Sequence, residues 1–160
     1  MSFPGIPSLD AAVMAFIQTH FHNTVTDTVF PIITSLGEAG IGWIVLSLVL
    51  LCFKKTRRTG GLVLIAMTVT LLFGELTLKN IICRLRPCNV FTNFPMLIAR
   101  PTSYSFPSGH TSSSFAAALI LTLRHKKVGW LAYIPAVLIA FSRIFLFVHY
   151  PTDVLAGILL

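Results

Sequence analysis

Apolar runs broken by short polar stretches set the rhythm of this chain. Residues 41–53, 61–83, 110–123 and 128–148 are long enough and apolar enough to predict helices with little polar surface. Two shorter segments precede them. In residues 8–20, Leu9, Val13, Phe16 and Ile17 recur at helical spacing, with Ser8 or Asp10 available as a cap. This helix is amphipathic and suits the plane of a membrane interface. Residues 24–36 form a second segment that Pro31 should interrupt, and Gly37-Glu38-Ala39-Gly40 marks a break. The loop 84–106 is rich in proline and aromatic residues, and a last apolar helix starts at Asp153. That helix reaches only Leu160, roughly 13 Å, which is too short to cross a bilayer and is expected to be a truncated end. The prediction is one all-α domain over residues 1–160, a polytopic membrane bundle of about six helices with the N-terminal helices partly interfacial.

Composition turns this pattern into a membrane protein. The chain is 55% hydrophobic and only 11% charged, with a mean hydropathy of +0.84; soluble domains carry about 25% charged residues. A net charge of +7 would suggest nucleic acid in a soluble protein. Here the basic residues sit in short loops between apolar runs, so nucleic acid is not an expected partner. No basic region precedes an apolar core at the N-terminus, so no cleavable signal is expected. Cys83 and Cys88 lack metal-site spacing and are expected as free thiols, and Cys52 as packing.

Seven of the twelve Lys and Arg residues fall in two tight loops: Lys54, Lys55, Arg57, Arg58, Arg124, Lys126 and Lys127. The positive-inside rule makes these loops cytoplasmic. Span parity then sends Lys79, the loop 84–106, His110, Arg143 and His149 to the outer face. Five basic residues on that face oppose the topology signal, and an anionic ligand would account for them.

Three clusters share that membrane level. The first is Lys79-x6-Arg86-Pro87, whose two cations, seven apart, would share a helix face. The second is Pro107-Ser108-Gly109-His110 at a helix start. There Ser108 caps, free N–H groups attract an anion, glycine permits close approach, and His110 overhangs as a proton donor. The third is Ser142-Arg143-x5-His149-x3-Asp153, in which a carboxylate can hold one imidazole N–H and leave the other ring nitrogen as a nucleophile. Each cluster alone also has an ordinary reading. Lys79 can pair with Glu75, Arg143 can anchor a helix end, and His149 with Asp153 can be an interfacial hydrogen-bonded pair.

Together, at this order and spacing over residues 79–153, the clusters resemble the signature of the type 2 phosphatidic acid phosphatase superfamily: K-x6-R-P, P-S-G-H and S-R-x5-H-x3-D. The resemblance implies a helical bundle that works without metal or other cofactor. It implies that His149 attacks phosphorus, Asp153 orients it, and His110 protonates the leaving oxygen and then activates water. Lys79, Arg86, Arg143, Ser108 and Gly109 would hold the phosphate oxygens. His20, His22 and His125 receive no chemistry. Arg84 and Arg100 are read as loop or head-group contacts, and Phe91, Phe94, Tyr104 and Phe106 as lining for a lipid entry route.

The expected function is a membrane lipid phosphatase in the cell membrane with an extracytoplasmic site. Its substrate is expected to be a lipid phosphate or pyrophosphate, undecaprenyl pyrophosphate first, with phosphatidylglycerophosphate and phosphatidic acid as rivals. An anion or lipid transporter would not use His110 and His149, and the chain lacks repeats. A vanadate haloperoxidase has a similar site but not this apolar composition. A non-catalytic relative would be expected to lose a histidine.

Overall fold

The computed structural model describes residues 3–160. Among the described residues it is all helix, without strands. The elements are α1 (Ser8–His20), α2 (Thr24–Leu36), α3 (Ile41–Leu51) and α4 (Arg57–Thr70). A π-helical stretch (Leu71–Leu78) carries α4 on into α5 (Lys79–Ile82). The single turn α6 (Pro87–Val90) lies in the long loop, and α7 (Gly109–Arg124), α8 (Tyr133–Phe145) and α9 (Pro151–Leu159) complete the chain. With α4 to α5 counted as one rod and α6 set aside, these are seven helices rather than six. At the break expected over residues 37–40, Ala39 (φ 48°) and Gly40 (φ 70°) adopt the left-handed region, and α2 and α3 part company with a 46° bend.

At the centre stands α7, packed on α4, α8 and α9. Its buried face is small and polar at the start (Thr111, Ser112, Ser114) and apolar further on (Ala117, Ala118, Leu121). Small side chains let helices approach closely, and hydroxyls give hydrogen bonds where water is scarce. Trp43 of α3 donates its indole N–H to Ser114 (2.9 Å). On the other side α9 comes so near that a Cβ on Gly157 would sit 2.7 Å from the Ser108 carbonyl oxygen.

Several local expectations change. Pro31 does not interrupt α2, which runs through it. The first helix begins after Pro7, and neither Ser8 nor Asp10 caps it by a side-chain hydrogen bond. Its buried face holds Asp10, Met14, Ile17 and Gln18, while Leu9 and Phe16 are exposed. Gln18 donates to the Phe145 carbonyl (3.0 Å), and Asp10 enters an ion-pair network described below. Specific polar partners on α8 and α9 therefore override the apolar stripe that periodicity selects. Phe91 and Phe94 are not an open entry route. Phe94 stacks on Phe147 at 3.9 Å, and Phe91 lies edge-on to Phe3 at 5.3 Å, both packed against the core that surrounds the α8–α9 turn.

Among the described residues, Arg57–Val90 is the one helix long and apolar enough to cross a membrane, and α2 with α3 pass the same test as a bent pair. Much of the outer surface is apolar, with Ile65, Phe73 and Leu76 each about 60% exposed; so much exposed hydrocarbon suits lipid better than water. The two basic loops meet at one end of the bundle, where Thr59 Oγ1 lies 3.1 Å from His125 Nε2. Lys79 and His110 lie at the other end. The 16 residues of α7 between those ends span about 24 Å.

Candidate active site

The site end is built by three chain segments that converge on α7. Cys83, in the left-handed region (φ 52°), stops α5, and Arg86 is extended (ψ 151°) with Pro87 opening α6. This is the backbone that proline imposes on its predecessor. Lys79 and Arg86 therefore do not share a helix face. The chain turns between them, and both still reach one cavity of about 800 Å³. Gly109, His110, Arg143 and His149 line that cavity too. After α8 the chain turns sharply through Phe147 (φ 60°), and the Arg143 carbonyl accepts from both Val148 N and His149 N at 3.2 Å. That tether fixes His149 one turn beyond Arg143.

His149 is almost fully buried (1% exposed). Arg86 Nη1 donates to its Nε2 at 2.9 Å. A guanidinium can only donate, so Nε2 carries the lone pair, and we assign the proton to Nδ1. Nδ1 lies 3.5 Å from both Asp153 Oδ2 and Ser105 Oγ, and Ser105 Oγ donates to Asp153 Oδ2 at 2.5 Å. The spacing of four residues brings imidazole and carboxylate near each other, but no direct hydrogen bond joins them. Ser105, which the sequence did not single out, sits between them. Burial first, then the positive charges of Arg86, Arg143 and Lys79, push the His149 imidazole well below its usual range and keep it neutral.

Around this histidine the cations differ in how they are held. Arg86 is anchored by Ser103 O (2.7 Å) and Ser103 Oγ (2.9 Å). Arg143, 3% exposed, donates from Nη1 to Thr34 Oγ1 at 2.5 Å, and its Nε has no partner. Lys79 Nζ pairs with Glu75 Oε1 at 2.6 Å, and the same carboxylate lies against Gly109, where a Cβ would collide with it. His110 projects from the first turn of α7; its Nε2 is buried without a hydrogen bond, 3.5 Å from Glu38 Oε2. A Cβ on Gly37 would sit 2.9 Å from the His110 ring, so the glycine break makes room for it.

Ser108 departs from its expected part. It stands at the N-cap position of α7 without a side-chain cap bond; its hydroxyl accepts from Thr111 Oγ1 (2.9 Å), and its N–H donates to the Asp153 carbonyl (3.1 Å). Fully buried, it joins α7 to α9 behind the cavity wall. Of the two expectations for Arg84 and Arg100, contacts within the protein hold and head-group contacts do not. Arg84 is paired with Asp10 and Asp153, and Arg100 staples the loop by donating to the carbonyls of Cys88, Thr92 and Phe94. Among the described residues, no group of three His, Cys, Asp or Glu side chains could hold a metal ion. Cys52, Cys83 and Cys88 are free.

One buried histidine with a carboxylate behind it, a second, half-buried histidine and three cations thus meet about one cavity. Residues 59–160 match the model of the PAP2 superfamily, and the chain belongs to that family. It is 40% identical over 119 residues to an undecaprenyl-diphosphatase of Sulfolobus acidocaldarius, an alignment covering 74% of this chain and 57% of that protein. It is 32% identical over 146 residues to the undecaprenyl-diphosphatase BcrC of Bacillus subtilis, covering 86% of this chain and 70% of the relative. The crystal structure of a transmembrane PAP2-type phosphatidylglycerolphosphate phosphatase from Bacillus subtilis superposes with a TM-score of 0.74 at 29% identity, over 98% of this chain and 80% of the other. The chain is therefore a membrane protein of this family, and it spans little more than half the length of the archaeal relative.

Proposed function

We propose that this protein is a multi-pass membrane lipid phosphatase that works through a phosphohistidine, with undecaprenyl pyrophosphate as its substrate. The observation that carries this reading is the setting of His149: it lines the cavity, its Nε2 accepts from Arg86, and its Nδ1 lies toward Ser105 and Asp153. In the first step Nε2 attacks the terminal phosphorus, the bond to the leaving oxygen breaks, and His110 supplies the proton to that oxygen. In the second, His110 takes a proton from water, whose oxygen displaces His149 and releases phosphate. Arg86 must exchange its bond to Nε2 for a phosphate oxygen as attack begins. Arg143 and Lys79 share the remaining charge, since positioning and electrostatics are what phosphoryl transfer demands.

Two observations support a lipid pyrophosphate. The cavity wall turns apolar away from the histidines, through Ile44, Leu64, Met67 and Leu71 of α3 and the α4 rod, a lining suited to a hydrocarbon tail. Two relatives carry the undecaprenyl-diphosphatase name. A surplus of positive charge does not add to this. Arg84 and Arg100 are spent on other partners, and Glu75 and Glu38 line the same cavity as the cations. A glycerolipid phosphate is the second reading, favoured by the named activity of the structural neighbour. Comparing kcat/KM for undecaprenyl pyrophosphate, phosphatidylglycerophosphate and phosphatidic acid in one detergent decides between them. The pyrophosphate is expected to win. A preference of about tenfold for either glycerolipid, roughly 1.4 kcal/mol in the transition state, would replace the substrate and leave the phosphatase reading standing.

A further inference from the structure

Among the described residues, one densely hydrogen-bonded cluster is only touched by the three sequence motifs. Asp10 of α1 and Asp153 of α9 are both fully buried, and one guanidinium lies between them. Arg84 Nη2 donates to Asp10 Oδ2 at 2.7 Å, and Arg84 Nη1 donates to Asp153 Oδ1 at 2.6 Å. The guanidinium plane is held over the Tyr150 ring, 3.8 Å from its centroid. Thr152 closes the cluster. Its hydroxyl accepts from Arg84 Nη1 (2.7 Å) and donates to Asp10 Oδ2 (2.7 Å), and its N–H donates to Asp10 Oδ1 (2.9 Å).

We infer that Asp10 and Arg84 are positioning residues of the phosphoryl-transfer site, acting on His149 through Asp153. This rests on the reading of His149 as nucleophile. Asp153 has two oxygens with different tasks. Oδ2 faces His149 Nδ1 and also accepts from Ser105 Oγ and Tyr150 N (2.9 Å). Oδ1 is held by Arg84 and faces away from the histidine. The Arg84 fork thus sets the rotation of the carboxylate and offsets one of two negative charges buried side by side. Asp10 in turn fixes the fork. A guanidinium has the fixed, planar geometry for this, which a lysine lacks. Buried ion pairs are poor sources of stability compared with apolar packing of the same volume, so a mere tie between α1 and α9 would not call for two carboxylates and an arginine. Asp10 lies outside the matched family region, residues 59–160. On this inference the N-terminal helix is part of the catalytic apparatus.

The experiment compares purified full-length wild type with Arg84→Met, Arg84→Lys, Asp10→Asn and the Asp10→Asn/Arg84→Met pair, hydrolysing undecaprenyl pyrophosphate in detergent. Thermal unfolding is measured alongside, and kcat is expressed per folded enzyme. Arg84→Met is expected to lower kcat by about 10- to 100-fold with KM within about threefold, the usual cost of losing a group that orients a reacting imidazole. Arg84→Lys should recover part of the loss. The double variant should exceed Arg84→Met in kcat, because it leaves one buried carboxylate in place of two like charges. If Arg84→Met does not fold, Asp10→Asn carries the test, with kcat lowered and KM unchanged. A kcat per folded enzyme within about twofold of wild type in Arg84→Met, or in Asp10→Asn where it stands alone, would overturn the inference and leave a structural tie. The same follows if the double variant is no better than the single. Wild type that releases no phosphate, or His149→Ala that still does, would instead overturn the phosphohistidine reading.

Discussion

His149 concentrates the physics of the site. It is buried among cations, so its neutral form is favoured in the folded protein. In the unfolded chain it takes a proton near pH 6.5. A depressed pKa of this kind contributes stability that is present above about pH 6.5 and lost as the pH falls below it. The melting temperature in detergent is therefore expected to drop between pH 7.5 and pH 5, and His149→Gln should drop less over the same interval. Equal slopes for the two proteins would contradict the assignment. At this scale the sequence was readable where chemistry is tied to spacing: Lys79, Arg86, Gly109, His110, Arg143 and His149 all reach one cavity. It was not readable where a partner is distant in sequence. Nothing in the residues around them announces that Asp10 meets Arg84 across 74 positions, that Thr34 holds Arg143, or that Ser105 stands between His149 and Asp153.

Among the elements, helix existence followed from apolar runs, and helix details did not. The runs 41–53, 61–83 and 110–123 became α3, the α4-to-α5 rod and α7 within a few residues. The run 128–148 is apolar apart from Ser142 and Arg143, yet only its middle is α8. A 3-10 turn (Gly129–Ala132) precedes it, and the chain leaves the helix after Phe145 because Phe147 takes a left-handed backbone. Hydropathy cannot register such a turn when every residue in it is buried in the core, as Leu146, Phe147 and Val148 are. The π-helical stretch Leu71–Leu78 was equally silent, and it carries Glu75 to Lys79 and to the start of α7. Irregular helix of this kind is often found next to functional sites. In α2, Pro31 costs a hydrogen bond without ending the helix, and the element persists through it.

For the molecule as a whole, charge asymmetry is the clearest signal. Seven basic residues gather at one end, where Thr59 meets His125, and the histidine site occupies the other. By the positive-inside rule the site should face away from the cytoplasm. Single cysteines at three exposed positions test this in a background with Cys52, Cys83 and Cys88 replaced by alanine. In intact cells, Lys55→Cys and Lys126→Cys should resist a membrane-impermeant thiol reagent, and Asn93→Cys should react. The reverse pattern would invert the orientation.

A covalent intermediate on His149 is the step most directly open to measurement, by trapping it. Enzyme is mixed with undecaprenyl pyrophosphate labelled in the terminal phosphate, quenched in base within milliseconds and digested for mass spectrometry. We expect an acid-labile, base-stable phosphate on the peptide that contains His149. It should be absent in His149→Ala and should accumulate in His110→Ala if the second step is slowed more than the first. Phosphate release by wild type with no label on His149, or with the label on His110, would contradict the account.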